Sequence, residues 1–358
     1  MKVMAKRGRV LCVLWSVLLL LGLSGCATTE KGAAIEKLVW PKPPETARYE
    51  YNSTLRSNLS FTGEKPSFAE RIGGVGAQEK PLFSKPYDVA ARGGVLLVSD
   101  TVLRTVHMLI LPTRSIFHIG ASGGDGELTK PVGVAIDGNG RIYVADVTSR
   151  VVKVYEPNGH YLMTVGGPEL LVKPTDVAVN NEGTRIYVVD TGGIESRSHQ
   201  VQVFDGEGLF IKTIGTRGSG KGEFNLPVQA AVNALGDLYV LDAGNFRVQV
   251  FSADGGFMRT WGKVGRNMGD FARPRGLALD SDGLVYVTDA AFGNFQVFRS
   301  DGQLMLSVGK NGRDLPGEYS LLAGIAIDEL GWVYLLDQKY NKLDVIKKIQ
   351  NNLTVNVQ

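Results

Sequence analysis

Short apolar runs alternate with turn residues along most of this chain. Between residues 227 and 262 four such runs follow one another, at 230–233, 238–241, 246–251 and 257–261. Each is four to six residues long, rich in Val, Leu, Tyr or Phe, and bounded by Gly, Asn or Asp. Runs of that length and composition predict strands, and the tight turns between them predict one antiparallel four-stranded sheet. A sheet of this composition cannot bury its two faces alone. It requires similar sheets on both sides.

The sequence supplies them. A strand ending in aspartate recurs as VLLVSD at Asp100, RIYVAD at Asp146, RIYVVD at Asp190, DLYVLD at Asp242, LVYVTD at Asp289 and WVYLLD at Asp337, at spacings of 46, 44, 52, 47 and 48 residues. Five units open on a proline, at Pro86, Pro131, Pro174, Pro227 and Pro274; the sixth has Leu322-Ala323-Gly324 instead. Self-similarity at this period, with four strands per unit, predicts an all-β chain folded as a six-bladed β-propeller.

The units resemble the NHL repeat. Asn245-Phe246-Arg247-Val248-Gln249-Val250-Phe251 matches the family's third-strand pattern. Pro131-Val132-Gly133-Val134-Ala135-Ile136-Asp137 and Pro274-Arg275-Gly276-Leu277-Ala278-Leu279-Asp280 match its opening strand. The resemblance covers about residues 85–347 and implies a propeller of NHL type. It leaves function open, because that fold serves lyases, lactonases and binding platforms alike.

The sixth unit ends early. Residues 343–346 can form its third strand, but no fourth follows, so an N-terminal strand should close the ring. Tyr49–Leu55 is the favoured candidate; residues 68–73 are the alternative, and 67–72 could instead form a short helix. The domain reading is therefore a signal over 1–25, a tether over 26–48, a closing strand and lead-in over 49–84, and a propeller over 85–350, expected as a monomer.

Composition changes the picture mainly at the N-terminus. Lys2, Lys6, Arg7 and Arg9 precede an apolar run over 10–23 and then Leu23-Ser24-Gly25-Cys26. The run is shorter than the roughly 20 residues of a membrane-spanning helix, which favours a cleaved signal. Its ending resembles a bacterial lipobox, which implies lipidation at Cys26. Ala27 after the cysteine, by analogy with lipoprotein sorting, favours the outer membrane. Of 39 basic residues four leave with the signal, so 35 remain against 36 acidic ones, and net charge does not point to nucleic acid. Cys12 would leave too, so Cys26 could form no disulfide within the mature chain. Residues 27–48, with Trp40-Pro41-Lys42-Pro43-Pro44, read as a semi-rigid tether.

Candidate chemistry is sparse. The repeated aspartates suit turns, where a carboxylate accepts backbone N–H groups two residues on. His107, His118, His160 and His199 occupy unrelated positions in their units, unlike the clustered histidines that the resemblance to NHL-like lyases implies. Two residues after each unit's opening stand Asp88, Gly133, Asp176, Gln229, Gly276 and Gly324. By resemblance to metal-dependent lactonases, Asp88, Asp176 and Gln229 form a weak oxygen-ligand set able to hold calcium; solvated mouth residues are the plainer reading. No other cofactor is expected. Tight turns on one face contrast with long connections on the other, where binding usually resides. Those connections carry Arg217, Lys221, Lys263, Arg266, Arg273, Arg275, Lys310 and Arg313, against Glu223, Asp270, Asp314 and Glu318. The sequence therefore predicts a non-catalytic binding or scaffolding module of the cell envelope, lipid-anchored, meeting an envelope protein or anionic polymer on the long-loop face. A metal-dependent hydrolase or lactonase is the alternative.

Anchoring is directly testable. Acyl chains contribute about 0.8 kcal/mol per buried CH₂, enough for firm attachment once two or more are present. Cys26→Ser should move the protein into the soluble fraction on fractionation. Its retention, uncleaved, in the membrane pellet would refute the lipoprotein reading.

Overall fold

The computed structural model describes residues 37–63, 79–193 and 195–349. Cys26, the apolar run before it and segment 64–78 lie outside these, and with them the expected signal, the lipidation site and the alternative closing segments at 67–73.

Blade four shows how sequence becomes sheet. Strands Pro227–Val232, Leu238–Asp242, Arg247–Phe251 and Phe257–Trp261 pair antiparallel in that order. The second strand is buried at all five positions, so neighbours cover it on both faces. The outer strand alternates, half-buried on one side and exposed on the other at Met258 and Thr260. Blades one, two, three and five repeat the order of four strands, with first strands Pro86–Arg92, Pro131–Ile136, Pro174–Val179 and Pro274–Leu279. Five of the six first strands begin with proline, where its missing N–H costs no ladder bond.

The first strands pack side by side from blade one to blade six and back to one, which closes a ring. Six apolar clusters stand out among the described residues, and each is shared by two adjacent blades. Val201, Val203 and Ile214 of blade three meet Ala230, Val240 and Phe251 of blade four, for example. The core is therefore distributed between blades.

The aspartates that end the second strands have no measurable exposure. Asp146 accepts from Thr148 N and Ser149 N at 3.1 and 3.0 Å, as turn chemistry predicts. Its other oxygen accepts from Thr129 N and Lys130 N at 2.6 and 3.1 Å, in the segment that leads into the blade. Asp100, Asp190, Asp242, Asp289 and Asp337 bond the equivalent lead-ins at Ser84, Val172, Asn225, Ala272 and Ser320. Each carboxylate thus clamps two segments, a role that turn logic alone does not reveal.

Blade six combines Leu322–Ile327, Trp332–Asp337 and Lys342–Lys348 with Tyr49–Leu55 as its fourth strand. Tyr51 pairs with Ile346 and Leu55 with Leu343. Thr54 Oγ1 donates to Asp344 Oδ1 at 2.5 Å, and buried Tyr49 meets Tyr286 of blade five through its hydroxyl at 2.8 Å. Val39–Trp40, read from sequence as tether, pairs with residues 49–50 as a fifth strand. Trp40 supplies enough apolar area to bind there, packing against the cluster between blades five and six. A short helix, Asn58–Thr62, follows the closing strand, with Ser57 as its N-cap.

Deleting residues 49–55 tests this closure. Buried apolar side chains such as Leu55 each contribute about 1.5–3 kcal/mol, and about 1 kcal/mol shifts a midpoint by roughly 2–4 °C in a large domain. The deletion should lower the calorimetric Tm by about 10 °C or cause aggregation through the exposed edge of blade six. An unchanged melting curve would contradict closure by this strand.

Candidate functional site at the channel mouth

In every blade the pairing register of the first strand shifts just after its opening residue, between Pro86 and Val89, Pro174 and Asp176, or Pro227 and Gln229, for example. Such irregularities re-aim side chains. Here they carry the residue two past the opening toward the ring axis. Asp88, Asp176 and Gln229 come together there, as the sequence predicts, but they are buried, with exposures of 3%, 2% and 8%. The expectation of solvated mouth residues is thereby corrected.

Each side chain reaches an adjacent blade. Asp88 Oδ2 accepts from Val134 N of blade two at 3.0 Å. Asp176 Oδ2 accepts from Ala230 N of blade four at 2.8 Å, and Gln229 Oε1 from Leu277 N of blade five at 2.7 Å. Gln229 Nε2 also donates to Asp88 Oδ1 at 2.9 Å, joining blade four to the opposite blade one. Glycines make room for these carboxylates. A Cβ on Gly133 would lie 2.4 Å from Asp176 Oδ1, and one on Gly324 2.2 Å from Asp88 Oδ1. The result is a polar bar across the channel.

Below the bar the channel is lined by backbone and by small side chains, Ala90, Ala135, Ala178, Ala231, Ala278 and Ala326 among them. Above it opens a cavity of ≈ 360 Å³, with Asp88, Asp176 and Gln229 as its floor. Leu226, Val228, Phe246 and Pro274 form apolar wall, while Lys173, Arg273 and Arg275 bring positive charge. The Arg275 guanidinium lies 6.0 Å from the Tyr87 ring centroid, at cation–π distance. Arg273 and Arg275, read from sequence as part of a basic surface, thus join the residues read as oxygen ligands.

The remaining basic candidates do not line this cavity. Arg217 donates to Ser196 O at 2.9 Å and Lys263 sits 3.9 Å from Asp270. Lys310 pairs with Glu318 at 2.9 Å, and Lys221, Arg266 and Arg313 are exposed on the same set of connections. Lys173 was missed by the sequence reading, although its place immediately before Pro174 parallels that of Arg273 before Pro274. The histidines are dispersed between blades one, two and three. His107 and His118 meet edge to face in blade one, with ring centroids 5.1 Å apart. His160 lies in an exposed turn, and His199 accepts from Leu226 N at 3.1 Å, pinning the blade-three insertion to the next lead-in.

A metal fits this set poorly. Gln229 must point its oxygen at Leu277 N–H and its amino group at Asp88, since the flipped amide would face donor to donor and acceptor to acceptor. Its ligating oxygen is therefore turned away from the carboxylate it touches. Among the described residues no group of three or more His, Cys, Asp or Glu is placed to hold a metal.

Burial raises the Asp88 carboxyl to about 6, against the opposing N–H bonds from Val134, Val89 and Gln229. Burial also raises Asp176 well above the usual carboxylate range, and the neighbouring Asp88 charge adds to it. Two buried carboxyls this close disfavour double ionisation, so each makes the other easier to protonate.

Comparison with known proteins agrees with the architecture. Residues 224–251 and 271–299 match the NHL repeat. The B-box type zinc finger protein ncl-1 of Caenorhabditis elegans is 27% identical over 190 residues, 47% of this chain and only 22% of that protein's length. A streptogramin B lyase structure superposes with a TM-score of 0.54 at 13% identity, covering 74% of this chain and 94% of the other. A gluconolactonase from Xanthomonas campestris gives 0.54 at 17% identity, covering 83% and 98%. These structural likenesses show fold alone. The chain carries NHL repeats on a six-bladed β-propeller.

The buried pair predicts an unusual pH response. A carboxyl whose folded pKa is raised binds more protons folded than unfolded, so its contribution to stability falls as pH rises from about 4 through the folded value. Asp176→Asn keeps an acceptor for Ala230 N and removes the ionisation. It should raise Tm by about 2–4 °C at pH 8, with a smaller gain at pH 5. Equal losses at both pH values would show that Asp176 is not a proton-holding group.

Proposed function

We propose that this propeller is a binding module of the cell envelope, lipid-anchored through Cys26 at the outer membrane, that takes an anionic partner on its long-loop face. The observation that carries this reading is the gathering of Lys173, Arg273 and Arg275 around a mouth cavity whose floor side chains are tied to neighbouring blades by hydrogen bonds. Cations at a concave, partly apolar opening attract and orient an anionic group. A metal-dependent hydrolase would instead need Asp88, Asp176 and Gln229 to turn free oxygens toward one point. Instead one oxygen of each accepts from a backbone N–H of a neighbouring blade, and the second Asp88 oxygen accepts from Gln229. That arrangement favours holding a ligand over activating one.

The outer cations on residues 216–226, 263–273 and 310–322 extend the same face. Lys263 and Lys310 already have acidic neighbours, which lowers their expected contribution to steering. The mouth residues therefore carry most of the predicted affinity.

A pull-down from envelope extract tests this with three variants. Charge reversal at Arg273 and Arg275 should abolish recovery of the partner and flatten its salt dependence. Reversal at Arg217, Lys263, Arg266 and Arg313 should weaken recovery less, since exposed charges act over only about 8 Å at physiological ionic strength. Reversal at Lys153, Arg185 and Arg299, away from this face, should leave it unchanged. Equal recovery by the mouth variant and the wild type would refute the proposal.

A further inference from the structure

The carboxyl pair and the cations share one cavity, and this juxtaposition has a consequence for what binds and when. Asp88 and Asp176 form its floor, with Gln229 between blades four and one. The groups facing them are Tyr87 from the same strand as Asp88, Lys173 at the opening of blade three, and Arg273 and Arg275 at that of blade five. No histidine lines the cavity among the described residues. Any anion seated among the three cations lies over a floor that itself carries negative charge.

The walls narrow the ligand class. Thr175 and Thr191 line the cavity too, but their hydroxyls are bonded to each other and to Pro227 O, and the wall at Leu226, Val228, Phe246 and Pro274 is apolar. A polysaccharide acid would place hydroxyls against them, and burying an unpaired hydroxyl costs about 1–3 kcal/mol. A peptide offers a carboxylate beside an aliphatic side chain, which suits cations next to apolar wall. The cavity of ≈ 360 Å³ is small for a ligand site, near the lower end of the range of roughly 300–1,000 Å³. It suits one or two side chains of a longer segment.

Building on the binding role above, we propose that the mouth takes an acidic peptide segment of a partner protein and that the Asp88–Asp176 pair takes up a proton from solvent as the segment binds. A carboxylate arriving above Asp88 disfavours the charge already there, so the floor is protonated more readily when the site is filled. By linkage, the segment binds more tightly as pH falls. Asp88 is poised for this at the cavity floor, where burial already raises its carboxyl to about 6. The site then favours its partner when the surroundings of the envelope are acidic.

The probe is a fluorescein-labelled hexapeptide of alternating glutamate and leucine, titrated into the full chain and followed by anisotropy at pH 5.5 and 8. Its glutamates, with an ordinary pKa of about 4.3, stay largely ionised at both. Binding should be about threefold tighter or more at pH 5.5, and calorimetry in buffers of different ionisation enthalpy should show a fractional proton taken up near pH 6.5. Arg275→Gln should weaken binding at both pH values. The Asp88→Asn, Asp176→Asn double variant should bind with one affinity at both, close to the wild type at pH 5.5. Proton uptake by the wild type decides the matter even if that variant fails to fold. Binding without uptake or pH dependence would overturn the linkage and leave the binding role standing. Unchanged binding by Arg275→Gln would overturn the mouth as the peptide site. Capture of polygalacturonate with no affinity for the peptide would overturn the peptide class. Absence of binding by either probe would overturn the binding role itself.

Discussion

A four-stranded sheet whose second strand is apolar on both faces has no stable existence alone, and the rest of this molecule follows from that constraint. Tyr239 faces the cluster shared with blade five, while Leu238 and Val240 face that shared with blade three. Sandwiching every sheet between two others leaves a ring as the finite solution. A ring must close, and the closing strand has to come from the far end of the chain. Tyr49–Leu55 does so through main-chain pairing and through Tyr49, whose ring and hydroxyl engage blade five beyond its own sheet.

Closure brings six first strands together around one axis, and there polar satisfaction replaces apolar packing. The register shifts leave N–H groups at Val134, Ala230 and Leu277, which Asp88, Asp176 and Gln229 satisfy from neighbouring blades. Buried N–H groups without partners are costly, so the bar is in the first place a structural answer. It has an electrostatic price: two carboxyls removed from water and close together cannot both ionise readily. The mouth thereby gains a proton-holding floor beneath a set of cations.

Charge is separated along the axis as well as across the surface. The lower tube is lined by small and β-branched apolar residues, and the upper cavity by Lys173, Arg273 and Arg275. The repeated aspartates hold this upper end in shape, because those of blades three, four and five clamp lead-ins that carry mouth residues. Asp190 bonds the backbone of Lys173, and Asp289 that of Arg273. The clamps that repeat in every blade thus position cations that do not.

Strand length, turn chemistry, the repeat period and the missing fourth strand of unit six are local properties, so the sequence by itself determined a six-bladed ring closed from the N-terminus. It also singled out Asp88, Asp176 and Gln229, because a position two past each opening can be compared between units. It could not show that these side chains are buried, that each bonds a neighbouring blade, and that Gln229 bonds Asp88. That depends on Gly133 and Gly324 opposite the carboxylates, and on Gln229 lying across the ring from Asp88, 141 residues away in the chain. Nor could it unite Arg273 and Arg275 with that trio, or add Lys173 to them. Proximity across a closed ring arises from the packing of whole blades, and only the tertiary structure decided it.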